Sequence, residues 1–439
     1  MLKLNVDALK TRIEEFDDFQ TVGPLDKFDG IMRASVTASV GDLCKVELAN
    51  AESLMAEVIG FDHGSTMLMP LRNIEHIEPN ANVIALGRKM KIPVGEKMLG
   101  RTINAMGNPF DGKGDIFPSN WEPIRIFSPS PMSRPNISQP FFTGQRAIDG
   151  MLSLGKGQRV GLFAGSGVGK STLLGEIAKK SSADINVVAL VGERGREVKP
   201  FIEECLGDEG MARSIVVVAT GDEPALVRIR AAQTAITIAS WFRDQGGDVL
   251  LMIDSLTRMA IAQREIGLML GEPPTASGYP PSALQLIANL MEPLGCSEHG
   301  SITGLMNILV TGDDSNEPVA DTARGVLDGH ITLDRKLAEA NHYPAINIGR
   351  SISRLMDVVA DKTHVEYAGR LRNILQTYDQ VADLIRIGMY QQGSSERIDA
   401  AIVLREQIVQ FLRQRPGEFA SFDDTKANLF RIAEAWQFS

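Results

Sequence analysis

Apolar residues change their spacing several times along the chain, and each change predicts a different kind of element. Near the start, Leu2, Val6, Leu9, Ile13 and Phe16 recur at steps of four and three, with Asp7, Lys10, Arg12 and Glu14 between them. That spacing draws one apolar stripe on a short helix over residues 1–19. The stripe suits a helix packed on its own domain or one that docks a partner. From 20 to 95 the apolar runs become short and rich in β-branched residues: ASVTASV, CKVELA, LMAEVIGF and TMLMPL. Gly30, Gly41, Asn50, Gly64, Pro70 and Pro79 break them. Turn signals at such short intervals predict a small antiparallel β-barrel.

A linker follows, in which GNPFDGKGD and FSPSPMSRPNISQP read as loop because they are dense in Gly, Pro, Ser and Asn. From about 140 to 350 the runs RVGLFA, INVVALVG, SIVVVAT, DVLLMID and ITGLMNILVT are nearly continuous in apolar residues. Such runs fit strands buried on both faces of a mostly parallel sheet between helices. Ala225–Gln245 and Ser255–Leu270 read as helices between them. Beyond about 355 only helical spacing remains, with Leu371, Leu375, Tyr378, Ala382 and Ile385 on one face. The expected plan is therefore 1–19 helix, 20–95 barrel, 96–355 linker and α/β core, and 356–439 helical domain.

Composition narrows the function classes. The chain has 439 residues, 44% hydrophobic and 23% charged, which is ordinary for a folded soluble protein. Its net charge of -10 argues against wrapping nucleic acid. Cys44, Cys205 and Cys296 are far apart and form no CxxC pair, so neither a disulfide framework nor a zinc site is expected. No apolar run approaches the roughly 18 residues of a membrane helix, and the first residues lack the apolar core of a signal peptide. Membrane association, if any, is expected to be peripheral.

The strongest chemical signal is AGSGVGKST, residues 164–172, between the strand RVGLFA and the helical LLGEIAKK. A triphosphate held against backbone needs inward N–H groups, and Gly165, Gly167 and Gly169 allow the conformations that present them. Ser166, Val168 and Thr172 complete the loop, and the helix start favours anions. Lys170 is expected to reach the β- and γ-phosphates of ATP, and the Ser171 hydroxyl to ligate Mg2+. The first position is Ala164 rather than Gly, a small departure from the strict P-loop pattern. DVLLMIDS ends an apolar strand on Asp254, the Walker B arrangement, which holds Mg2+ through water. VGERGREV ends another on Glu193. A carboxylate there can polarise the water that attacks the γ-phosphate, or it forms a salt bridge within this charged stretch. Arg194 and Arg196 suit phosphate contacts or structural pairing with nearby carboxylates.

Together with YPAINIGRSISR (residues 343–354), these segments resemble the catalytic subunits of rotary ATPases and their relatives. The resemblance implies a RecA-like P-loop core, with Tyr343 stacking on adenine, Tyr390 as a second adenine contact, and Arg354 as an arginine finger acting on a neighbouring subunit's γ-phosphate. Without it, Arg354 is an anonymous surface arginine. GERGREVKPFIE, AQREIGLMLGEPPTASGYPPS and GDDSNEPVADTARGVLDGHITL are similar to the type III export ATPases, and the AQREI and GEPP wording to their flagellar members. Arg350 departs from the usual small or apolar residue before SIS. The resemblance covers roughly residues 20–400.

It implies Mg-dependent ATP hydrolysis that promotes chaperone release and export of flagellar proteins. It also implies a homohexamer with nucleotide at the interfaces, since one chain carries both the P-loop and Arg354. Implied partners are a stator-like regulator at the N-terminal helix, a central stalk protein, the export gate and substrate–chaperone complexes, with no nucleic acid. The loop with Asp313 and Asp314 suits a stalk contact or a solvated turn. The implied location is cytoplasmic, peripheral at the inner-membrane export apparatus. Rival readings are a virulence-injectisome secretion ATPase, an ATP-synthase catalytic subunit, and a Rho-like hexameric nucleic-acid motor. The last lacks the aromatic and basic interleaving that RNA binding needs in 20–95.

Overall fold

A computed structural model describes residues 20–48, 52–74, 76–124, 126, 128–165, 167–310 and 317–438. The expected N-terminal helix, Ser166, and the loop with Asp313 and Asp314 lie outside the described residues.

Strands β1 (Val22–Phe28), β2 (Met32–Ala34), β3 (Asp42–Glu47), β4 (Ser53–Asp62), β5 (Ser65–Pro70) and β6 (Asn82–Lys89) close an antiparallel barrel in the order β1-β2-β5-β4-β3-β6. Met32, Ala34, Cys44, Val46, Leu54, Ala56, Leu68 and Val83 fill it. The barrel is as expected, but ASVTASV is not a strand beyond Ala34. Thr66 Oγ1 donates to the Val36 carbonyl, and Ser39 N donates to Asp42 Oδ2 at 2.9 Å, so local bonds replace a ladder there. β1, which the pattern missed, carries Gly23 and Pro24, both weak strand formers. The barrel is tied to the core by the buried Glu57, whose carboxylate accepts from Arg230 Nε at 2.8 Å.

The segment after the barrel is not all loop. β7 (Lys91–Val94) pairs with β9 (Asn120–Pro123), and β8 (Thr102–Asn104) joins the core sheet as an edge strand. β10 (Pro140–Phe141) and β11 (Leu154–Gly155) form a small ribbon. The main sheet then collects β12 (Arg159–Ala164), β13 (Ile185–Glu193), β14 (Ser214–Thr220), β15 (Asp248–Asp254), β16 (Gly295–Cys296), β17 (Ser301–Leu309), β18 (Gly329–Thr332) and β19 (Ile352–Ser353). Its order is β19-β18-β12-β17-β15-β13-β14-β8, parallel from β18 to β8. β16 and β19 pair antiparallel at its margins.

The alternation along β13 shows why its sequence is apolar throughout. Val187, Ala189 and Val191 pack with helices Ala225–Asp244 and Leu256–Met269, while Val188 and Leu190 pack with helix Lys170–Lys180 on the other face. The chain ends in helices Lys362–Arg386, Glu396–Leu412 and Phe422–Glu434. On the first of these the buried line is His364, Ala368, Leu371, Ile374 and Thr377, so the stripe read from the sequence is rotated. Its N-terminal half rests on the core, with the His364 ring Nε2 2.8 Å from the Gly150 carbonyl.

Candidate active site

The carboxyl ends of β12, β17, β15 and β13 converge on one pocket, where a parallel sheet places its ligands. After β12 the chain turns through Gly165–Gly169 and enters helix Lys170–Lys180. Gly167 and Gly169 take φ of 79° and 85°, which disfavour a side chain. No side chain caps this helix, so its first N–H groups are left for a ligand. Val168 is buried and anchors the turn, whereas Ser171 and Thr172 stand exposed on the first helical turn.

Lys170 lies between two acidic side chains. Its Nζ is 2.8 Å from Asp254 Oδ1 and 3.7 Å from Glu193 Oε1. Asp254 and Glu193 are both buried. Burial raises the Glu193 carboxyl above the usual range, and neighbouring Asp254 adds to this, against the pull of Lys170 and Arg258. Glu193 Oε1 is buried without a hydrogen-bond partner. An unpaired buried oxygen facing a lysine fits a carboxylate whose partner arrives with the ligand.

Gly192 turns the strand end so that Glu193 faces inward. It sits at φ 69° in a register shift of β13. A Cβ there would lie 3.0 Å from the Arg258 side chain. Arg258 uses that space to donate to the Gly192 carbonyl and to reach Glu193 Oε2 at 3.3 Å. Sequence reasoning missed Arg258. Counting one helical turn past Asp254, onto helix Leu256–Met269, would have found it. It also missed Arg335, whose guanidinium nitrogen lies 3.6 Å from where a Gly165 Cβ would be. Asn307 on β17 donates its Nδ2 to Asp254 Oδ1 at 2.5 Å.

Tyr343 leans over the end of the glycine turn. Its ring carbons come within 3.2 Å of an ideal Cβ on Gly169, and the residue stays 40% exposed, leaving ring surface for a ligand. A segment of the C-terminal domain secures it. Gln414 N donates to the Tyr343 carbonyl at 2.9 Å. The Gln414 side chain accepts from Arg146 N at 2.9 Å and donates to the Gly144 carbonyl at 2.8 Å. Gly417 N donates to Glu176 Oε2 at 2.9 Å on the helix that follows the glycine turn.

Other expected residues lie elsewhere. Tyr390 donates to Asp399 Oδ1 at 2.9 Å, near the start of helix Glu396–Leu412, whose other end leads to Gln414. The Tyr390 hydroxyl is engaged within the C-terminal helices, and no hydrogen bond joins it to Tyr343 among the described residues. Arg194 is exposed and 3.6 Å from Glu197. Arg354 is exposed at the amino end of β18, its N donating to the Asp328 carbonyl at 3.0 Å and its Nη2 to the Arg324 carbonyl at 3.1 Å.

The site's donor set fits a magnesium-bound nucleotide: one hydroxyl and one carboxylate for a hard cation, with phosphates completing it. No group of three or more His, Cys, Asp or Glu forms a protein-only metal cage among the described residues.

Residues 144–353 match the ATP synthase alpha/beta family nucleotide-binding domain, and 360–431 match the T3SS EscN ATPase C-terminal domain. The chain is 49% identical to the flagellum-specific ATP synthase of Bacillus subtilis, over 97% of this chain and 98% of the relative. It is 44% identical to the type 3 secretion system ATPase of Xanthomonas euvesicatoria, over 91% of each. Among solved structures, the assembled ATPase EscN of enteropathogenic E. coli superposes with a TM-score of 0.89 at 41% identity, covering 94% of this chain and 100% of that one. EscN in complex with its central stalk EscO gives 0.86 at the same identity and coverage. With its P-loop, Asp254 and Glu193 in one pocket and these relatives along nearly its whole length, the chain belongs to the ATP synthase alpha/beta family, in the branch of flagellar and type III secretion ATPases.

Proposed function

We propose that this chain is the ATPase of a flagellar type III protein-export apparatus, hydrolysing Mg–ATP at Lys170, Glu193 and Asp254. The observation that carries the reading is the Lys170 ammonium held between the Asp254 and Glu193 carboxylates at the mouth of the glycine turn. On nucleotide binding Lys170 turns to the phosphates. The Ser171 hydroxyl and Asp254 would hold Mg2+, which would supply charge to offset that of the phosphoryl oxygens. Glu193 polarises the attacking water, and burial, which raises its carboxyl above the usual range, makes it a stronger proton acceptor than an exposed glutamate. Arg258 keeps Glu193 aimed, and the Tyr343 ring offers a face to the adenine. Arg194, one residue beyond Glu193, is the outer phosphate contact once a neighbouring subunit covers it.

Arg354 completes the site of an adjacent subunit in a homohexamer. Its position at the opposite end of the sheet from its own glycine turn supports action in trans. A central stalk protein is a further partner, supported by the solved complex of the assembled relative EscN with its central stalk EscO. The remaining partners of this reading are a stator-like regulator on residues 1–19, the export gate and substrate–chaperone complexes, at a cytoplasmic position peripheral to the inner membrane. No helix among the described residues is long and apolar enough to cross a membrane. The flagellar client is favoured over the injectisome by the 49% identity to the Bacillus subtilis protein against 44% to the Xanthomonas one.

Phosphate release by the purified chain with ATP and Mg2+ tests the chemistry, and Glu193→Gln should bind ATP without turning it over. Complementation of a motility-deficient deletion strain tests the client. Restored secretion of needle-type effectors with no restored swimming would move the assignment to the injectisome.

A further inference from the structure

β17 lies between the strand that leads into the glycine turn and the strand that ends on Asp254. Its buried residues are apolar at Ile302, Leu305, Met306 and Ile308. Two polar side chains interrupt them. Thr303 is used, since its Oγ1 accepts from Gly157 N at 2.9 Å. Asn307 is half used. It is 0% exposed and stands directly across from Asp254 in the parallel register. Its Nδ2 donates to Asp254 Oδ1 at 2.5 Å, while its own Oδ1 is buried with no donor. The orientation of the amide is fixed by chemistry, because only the NH2 half can face an ionised carboxylate.

Two donors therefore grip the same oxygen of Asp254: Asn307 Nδ2, and Lys170 Nζ at 2.8 Å. When Lys170 leaves for the phosphates, only Asn307 remains on that oxygen. A buried amide oxygen with no partner is costly and is kept only where a donor arrives. The donors already in the pocket do not reach it: Lys170 is held on Asp254, and Arg258 on Gly192 and Glu193. The donors that come with Mg–ATP are the water molecules of the hydrated cation.

We infer that Asn307 is a positioning residue of the ATPase site: it fixes the Asp254 carboxylate while Lys170 moves to the phosphates, and its free amide oxygen accepts a hydrogen bond from water bound to the divalent cation. This rests on the Mg–ATP site proposed above. The pairing of an outer-shell amide with a cation-holding carboxylate sets metal affinity rather than nucleotide affinity, which separates it from a packing role.

The test is ADP binding by calorimetry to the full-length protein, in EDTA and in Mg2+, for the wild type, Asn307→Leu and Asn307→Thr. Leucine fills the space without polar atoms, and threonine keeps a donor and an acceptor. In Asn307→Leu, ADP affinity in EDTA should stay within about twofold, while the gain given by Mg2+ falls about tenfold, as for loss of a hydrogen bond to a charged group. The Mg2+ concentration for half-maximal ATPase should rise by a similar factor with KM for ATP little altered, and Asn307→Thr should recover much of both. An equal loss of affinity in EDTA and Mg2+, or an unchanged Mg2+ gain, overturns the role of Asn307. If Asn307→Leu does not fold, the near-isosteric pair Asn307→Val and Asn307→Thr, without and with a hydroxyl, carries the same comparison. A wild type whose ADP affinity ignores Mg2+ overturns the underlying site instead, so the two failures are distinct.

Discussion

Replacing Arg354 by alanine should abolish ring-dependent hydrolysis while sparing folding and nucleotide binding by the single chain. The sheet register gives the reason. Arg354 N is bonded to the Asp328 carbonyl, and Asp328 N in turn to the Arg159 carbonyl at the start of β12. The glycine turn begins beyond Ala164, at the other end of that strand. Five residues of parallel strand separate the two levels by about 17 Å, more than an arginine side chain spans. Arg354 therefore cannot serve its own turn, yet it stands exposed just past the end of β19, the outermost strand, where a neighbour can approach. A finger of this kind is worth on the order of 10³–10⁵ in rate. Mixed rings give a sharp assay. Arg354→Ala and Lys170→Ala are each expected to be inactive alone. In random equal mixtures, about one quarter of interfaces pair an intact glycine turn with an intact neighbouring arginine, so activity should return to roughly that fraction. Mixtures as silent as the separate variants would refute action across the interface. So would an Arg354→Ala defect of equal size in dilute monomer and assembled ring.

Lys170→Met should destabilise the ligand-free protein by roughly 3 kcal/mol at neutral pH, because two buried carboxylates lose their cation. Since the Glu193 carboxyl is raised by burial, the folded form binds a proton the unfolded chain releases; stability should fall as pH rises above the ordinary carboxylate range, and chemical denaturation across pH 4–8 checks this. His342 shows the opposite sign. Burial, then Arg413 and Arg405, lower it to about 4, so the unfolded chain takes up a proton first and stability is lost as pH falls from 6.5 toward 4. That loss should reach about 3 kcal/mol in thermal melts and be flattened in His342→Gln. Gln414→Ala should cost about 2–3 kcal/mol through the buried groups it leaves unpaired. It should also raise KM for ATP more than it lowers kcat, because the bond it supports is to the Tyr343 backbone; an unaltered KM would remove that link.

The order of elements was legible in the sequence where burial on both faces left little choice. The strands ending on Ala164, Glu193 and Asp254 were read from apolar runs because a parallel sheet between helices admits nothing else. The glycine turn was legible because backbone wrapping of phosphate constrains residue type directly. β1 was hidden by Gly23 and Pro24, whose cost is offset by closing the barrel against β6. The buried line of helix Lys362–Arg386 was misjudged because only its first half meets the core, and periodicity does not say where contact stops. Arg258, Arg335 and Asn307 were invisible for a different reason. Arg335 and Asn307 act through neighbours distant in sequence, so no local spacing marks them, whereas Arg258 stands one helical turn past Asp254, a spacing that carries no signal until Asp254 is placed in the pocket.

Gln414 and its neighbours make the ring of Tyr343 and the helix behind the phosphate turn share one fastening with the C-terminal helices. A tilt of those helices must either tear that fastening or drag the base-facing aromatic along with it. Under the proposed role of Tyr343, work done on those helices would change the grip on the base. If Tyr343 faces adenine as proposed, nucleotide release and the placement of these helices are linked equilibria, each biasing the other.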